Sequence, residues 1–156
     1  MRARRRRAER GAVGAEALAF GALILVAGTL VFVNVWSVVE TQLAVDAAAR
    51  EYLRVYTGAG DHDGATRRAE LAARVTLAAR GTPLEGLRID PPDPGSFGPC
   101  GEAAVVLTAT VPAARLPFVG TLARTEVRVE HRELVDAHRE VEPHANFDAD
   151  ATPCAG

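Results

Sequence analysis

The stretch "AEALAFGALILVAGTLVFVNVWSVVE" (Ala15–Glu40) decides the fold of this chain. Between its carboxylates, Glu16 and Glu40, the 23 residues Ala17–Val39 carry no formal charge. At about 1.5 Å rise per residue a helix of that length spans about 34 Å, enough for a hydrocarbon core of about 30 Å. It is too long for the apolar part of an ordinary secretory signal, about 7–15 residues. A small-residue pattern follows at "VDAAAR" (Val45–Arg50), but it lies beyond Glu40 and is read as uncut. Trp36 sits near the far end, where aromatic rings favour the interface, with Asn34 and Ser37 beside it. Gly21, Gly28 and Thr29 lie deeper; such small residues either permit close helix approach or are simply tolerated. No second run of this length occurs, so the sequence predicts a single-pass membrane protein in contact with the lipid bilayer.

The charge distribution orients that helix. The net charge of −2 over 156 residues hides a split. Residues 1–10 hold six arginines and one Glu, a balance of +5; the remainder holds 12 arginines against 19 acids, a balance of −7. A basic arm can bind nucleic acid, but no aromatic is interleaved and an apolar run follows at once. The pattern is read as the cytoplasmic flank of a membrane helix, with the bulk of the chain outside and no nucleic-acid partner.

A carboxylate at a membrane edge invites a functional reading. The plainer alternative is that Glu16 reaches the headgroups, pairs with Arg10 and complements the helix dipole. Spacing favours the first. A short basic leader ends in Gly11; Ala12, Val13, Gly14 and Ala15 follow; Glu16 is the fifth residue after the glycine, and the apolar run begins next. This arrangement resembles the prepilin processing signal, and the resemblance implies cleavage by a prepilin peptidase between Gly11 and Ala12. Glycine keeps the scissile bond accessible. Cleavage removes the basic leader and creates a cationic amine at Ala12, one helical turn from Glu16 and on its face. The resemblance also implies that Glu16 can pair instead with the N-terminus of a neighbouring subunit.

With "AVDAAAREYLR" (Ala44–Arg54) and the tail "VRVEHRELVDAHR" (Val127–Arg139), the chain resembles the TadE-like family, pilin-like proteins of the tight-adherence (Tad/Flp) pilus system. The resemblance is good over residues 4–56 and weak beyond. Such signals often place an aromatic after the Glu, whereas here Ala17 follows and the first Phe is Phe20. The expected partners are the prepilin peptidase, other pilin-like subunits and the Tad secretion machinery.

Beyond the apolar run, Glu40–Thr57 lacks Pro and Gly. Val45, Ala49, Tyr52 and Tyr56 recur at helical spacing as a core face, and Asp46–Arg50 is an i,i+4 ion pair. One helix of about 40 residues is expected, ending at "TGAG" (Thr57–Gly60). A second helix is expected over Gly64–Arg80, with Asp63 as N-cap, Gly81 just past its end, and Leu71, Val75 and Ala78 as its apolar stripe. Three antiparallel strands are expected at Leu87–Asp90, Ala103–Val111 and Thr125–Val135, with helices over one face. In the second, Val105, Leu107, Ala109 and Val111 share one side; in the third, Leu134 breaks the alternation, which suggests a bulge near Arg132. The apolar connection "ARLPFVG" (Ala114–Gly120) is read as core rather than exposed patch. The fold class is thus α+β: a long N-terminal transmembrane helix extended into a small pilin-like outer domain with one further helix and a three-stranded antiparallel sheet. Residues 1–11 form the leader, 12–39 the transmembrane helix, 40–57 its extension, 58–146 the extracytoplasmic domain and 147–156 a flexible tail.

Cys100 and Cys154 are the only cysteines. Outside the cytoplasm they can form a disulfide pinning the tail to the loop before the central strand, against the alternative of two free thiols. The chain-entropy estimate for such a loop is about 4 kcal/mol. No nucleotide loop, zinc spacing or nucleophile motif appears. His131 and His138 are seven apart on the expected strand and so face opposite sides. "DHD" (Asp61–Asp63) reads as a turn or cap rather than a cation site. No cofactor, metal or catalytic residue is assigned, and an enzyme is not expected. The rivals to a pilus component are an uncleaved single-pass protein with an outer binding domain and a membrane-tethered enzyme for which no residues are found.

Overall fold

A computed structural model describes the backbone of residues 2–82, 84–116, 118–138 and 140–154, with side chains from Glu16 onward within those ranges. The fold is α+β. Helix α1 (Arg2–Thr57) is followed by α2 (His62–Ala79), then by strands β1 (Arg88–Asp90), β2 (Glu102–Leu116) and β3 (Gly120–Leu134). The strands form one antiparallel sheet in the order β1-β2-β3. α1 is long and apolar enough to cross a membrane. With no Pro or Gly between Val31 and Arg54 to interrupt it, the apolar run passes straight into the segment that carries the domain.

Only the last third of α1 is in the core. Ala44, Val45, Ala48, Ala49, Tyr52, Leu53 and Tyr56 are buried, as the helical period requires. Onto them packs the inner face of β2, where Ala103, Val105, Leu107, Ala109 and Val111 alternate inward. Val127 of β3 is buried beside them, with Leu87, Ile89 and Val129 partly covered. α1 is the middle layer: the sheet lies against it, and α2 packs on it as well.

α2 differs from the sequence expectation in its cap and its face. It starts at His62, and Asp61, not Asp63, is the N-cap, accepting from the Gly64 N–H at 2.6 Å. A Cβ at Gly64 would fall 2.6 Å from that carboxylate, so glycine keeps the cap closed. Its C-cap is Arg80. The buried stripe is Ala65, Ala69, Ala73 and Leu77, whereas Leu71 and Val75 are 64% and 59% exposed and Ala78 is exposed as well. Both stripes have helical spacing. The alanines win because small side chains let the axis of α2 approach α1 closely, where the buried part of α1 is itself rich in alanine.

The sheet also corrects two expectations. β2 and β3 each run to fifteen residues, so "ARLPFVG" is the end of a hairpin rather than core padding. Phe118, Val119 and Leu122 stand exposed there, because the hairpin outruns the domain core. Register is continuous through Arg132, and the irregularities fall instead between Pro112 and Arg115, opposite Arg124–Thr121. Leu134 takes the outer face, and Val135, just past the strand, is buried. Val135 exchanges backbone hydrogen bonds with Gly101 (2.8 Å) and Cys100 (3.0 Å). His138 lies beyond β3, in a turn.

Cys100 and Cys154 form a disulfide with Cα atoms 5.6 Å apart, closing the chain ahead of β2. The stretch from residue 147 on, read as a flexible tail, carries the 3-10 turn Ala149–Ala151 and packs Phe147 over Gly98, where a Cβ would meet the ring at 2.6 Å.

The alanine contact is testable. Ala69→Leu should overpack the α1–α2 interface and destabilise by about 1–3 kcal/mol. Leu71→Gln should stay within about 0.5 kcal/mol of wild type. Denaturant titration of the detergent-solubilised chain reads both; equal losses would restore the Leu71 stripe to the core.

Candidate functional site

The sequence-derived site residues do not converge on one pocket. Gly11 and Ala12 fall within α1, in the stretch whose side chains lie outside the described residues, as does Arg10. Glu16 is the first described side chain of the helix and is exposed. Cys100 and Cys154 are bonded to each other at the end of the sheet away from the apolar run. Among the described residues, no group of three or more His, Cys, Asp or Glu is placed to hold a metal ion.

Where α1 leaves the domain, the structure adds a feature not expected from the sequence. Leu30, Asn34 and Val38 are the only partly covered positions in residues 16–39, and they line up one turn apart. Asn34 binds the backbone of Arg115 at the end of β2. Its Oδ1 accepts from the Arg115 N–H at 2.6 Å, and its Nδ2 donates to the Arg115 carbonyl at 3.2 Å and to the Leu30 carbonyl at 2.7 Å. Arg115 sits at the register shift that follows Ala114, where the strand ladder is broken. The Asn34 amide thus gives both backbone groups of Arg115 a partner at the irregular part of the ladder.

A second link ties β3 to α1. His131 Nε2 lies 2.6 Å from Asp46 Oδ1, and Asp46 Oδ2 lies 2.9 Å from the Arg50 guanidinium. The His131 hydrogen bond holds the Asp46 carboxyl below the usual carboxylate range; partial desolvation opposes this, and the charge of Arg50 reinforces it. Sequence reading found the Asp46–Arg50 pair but not His131. The signal was available: Val127, Val129 and His131 are successive inward positions of β3, and a polar residue at the third needs a partner across the layer.

Deeper in the domain, Tyr52 and Tyr56 stack at 6.1 Å, and Phe97 meets Tyr56 edge-on at 5.2 Å. Both hydroxyls are buried without a hydrogen-bond partner among the described residues. Burial pushes the Tyr56 hydroxyl up to about 12 and raises that of Tyr52 further. Their rings belong to the core and pack against Phe97 and each other.

No family model, curated protein or solved structure matches this chain.

Two outcomes follow. Asp46→Asn should cost about 1 kcal/mol at pH 7. Because the folded pKa of Asp46 is depressed, this contribution is fully present above the ordinary carboxylate pKa of about 4 and fades as pH falls through the lower folded value. Stability curves of wild type and Asp46→Asn should therefore converge on acidification; a gap that widens below about pH 4 would contradict the assignment. Tyr56→Phe removes a buried oxygen with no partner, so its melting temperature should equal or exceed that of wild type, a gain of up to about 1 kcal/mol.

Proposed function

We propose that this chain is a minor pilin or pseudopilin-type assembly component of a Tad-type pilus, processed by a prepilin peptidase after Gly11. In this reading α1 crosses the membrane once, with its N-terminus in the cytoplasm and the disulfide-closed domain outside. The chain is a substrate and a structural part; it performs no catalysis of its own.

One observation carries the reading. The Gly11–Glu16 register stands immediately before an apolar run, and that run continues unbroken into the helix on which the whole domain is built. A signal in this place is cut on the leader side, so the helix stays joined to the domain. A carboxylate at Glu16 then has a reason to be there: an amine released at Ala12, in the same or a neighbouring subunit, offsets its cost near lipid. An exposed apolar helix below a compact domain also suits lateral packing against similar helices. The alternative is an uncleaved single-pass protein whose outer domain binds a partner.

Mass spectrometry of the protein from cells carrying the peptidase separates the two. The expected mature chain begins at Ala12, and Gly11→Val should retain the leader. Glu16→Ala should leave membrane insertion intact and reduce assembly. An intact arginine-rich N-terminus in wild type would leave the alternative standing.

A further inference from the structure

We infer that the end of the β2–β3 hairpin is a second membrane contact: Leu116, Phe118, Val119 and Leu122 enter the leaflet on the domain's side, with Arg115 and Arg124 at the lipid phosphates. The inference rests on the reading of α1 as a membrane span.

Position is the first argument. His131 of β3 lies beside Asp46, and a groove between α1 and β3 is lined by Val39, Gln42, Asp46, Arg128 and Val129. Further along the hairpin, Arg115 is bound to Asn34. The hairpin therefore advances along α1 towards the apolar run, and its last residues extend beyond the level of Asn34. A span of about 20 residues starting at Ala17 ends near Trp36. Asn34 is then already inside the boundary. Leu30, the deepest partly covered residue, lies six residues inside it, about 9 Å by helical rise. That depth falls in the range of about 5–10 Å at which amphipathic elements rest in the headgroup–acyl boundary. The hairpin end is thus held at lipid level by the same helix that would span the bilayer.

Chemistry is the second argument. Phe118 is fully exposed, and Val119 and Leu122 are exposed beside it. They follow Arg115, which meets Asn34 at the start of the uncovered apolar part of α1. From Val111 to Thr125 the chain has two arginines and no acid, a composition that suits anionic headgroups. Long arginine side chains can keep their charge at the phosphates while the apolar end lies deeper.

Backbone strain is the third. Phe118 has φ 70°, a left-handed conformation that glycine or asparagine adopts readily and a bulky aromatic does not. Folding alone would favour a small residue at this position. The strain places a large apolar ring at the outermost point of the hairpin, where the described residues leave it uncovered. A lipid phase rewards that arrangement, whereas water does not.

Trp36 is the only tryptophan, so two single-tryptophan forms of the full-length chain can be compared in liposomes containing anionic lipid. Wild type reports on α1, and the W36F/F118W double substitution reports on the hairpin end. With lipids brominated at shallow acyl positions, both should lose at least half of their fluorescence, independently of protein-to-lipid ratio, and aqueous iodide should quench neither strongly. If Trp36 is quenched by bromolipid while the F118W probe is quenched only by iodide, the span stands and the hairpin contact is wrong. If neither responds to bromolipid, the span itself fails. Protection of the F118W probe only at high protein-to-lipid ratio would mean that a second copy, and not lipid, covers the hairpin end, and would likewise overturn the inference.

Discussion

A side-chain amide inside an apolar helix must find partners, because leaving it unpaired away from water costs several kcal/mol. Asn34 meets this constraint by binding both backbone groups of Arg115 and the carbonyl one turn before it. The exchange is reciprocal. Arg115 follows a register shift in the β2–β3 ladder, and both its N–H and its carbonyl are bound by the Asn34 amide. One contact thus closes the weak point of a fifteen-residue strand and fixes the hairpin to the helix. Above it, Val38, Thr41 and Val45 continue the same face into the core; below Leu30, the described residues of α1 stand free of the domain.

α1 therefore faces two kinds of surroundings along its length. Past Thr41 it is a core helix, enclosed by alanines of α2 and by the alternating face of β2. Before Leu30 every described residue is exposed, although most are apolar. In water an apolar surface on the order of several hundred Å² would be a liability. The described residues of the domain leave it uncovered, since cover on α1 begins only at Leu30. The part of the helix that needs another solvent and the part that nucleates a core are the same unbroken element, and this sets the geometry of everything attached to it.

Much of this was legible in the sequence, for reasons that differ by element. The apolar run rests on its length, whereas the core face through Val45, Ala49, Tyr52 and Tyr56 and the inward alternation of Val105, Leu107, Ala109 and Val111 each rest on a period that one secondary structure satisfies. The disulfide was expected from the single pair of cysteines and a reading that puts the domain outside the cytoplasm. The face of α2 was illegible because periodicity weights Leu71 and Val75 above alanine, whereas packing against another alanine face selects the smaller side chains. "ARLPFVG" was misplaced because apolar content does not distinguish core from an uncovered hairpin end; that depends on how far two paired strands outrun the domain core. Asn34 and Arg115 are 81 residues apart, and no local pattern joins them.

The two polar side chains at the margins of the apolar run make a useful contrast. Asn34 is satisfied within the chain, by a backbone segment brought to it through the whole fold of the domain. Among the described residues, Glu16 has no such segment near it. Cover on α1 begins only at Leu30, fourteen residues further along, which is about 21 Å by helical rise. Whatever offsets the Glu16 carboxylate near lipid must therefore come from the N-terminal end of α1 or from another molecule. An ammonium at Ala12 meets the first condition in the chain's own helix and the second in a neighbour's. Under the proposed cleavage after Gly11 such a group would arise without any change in the folded domain, so that a processing signal and a domain would be separate devices on one helix.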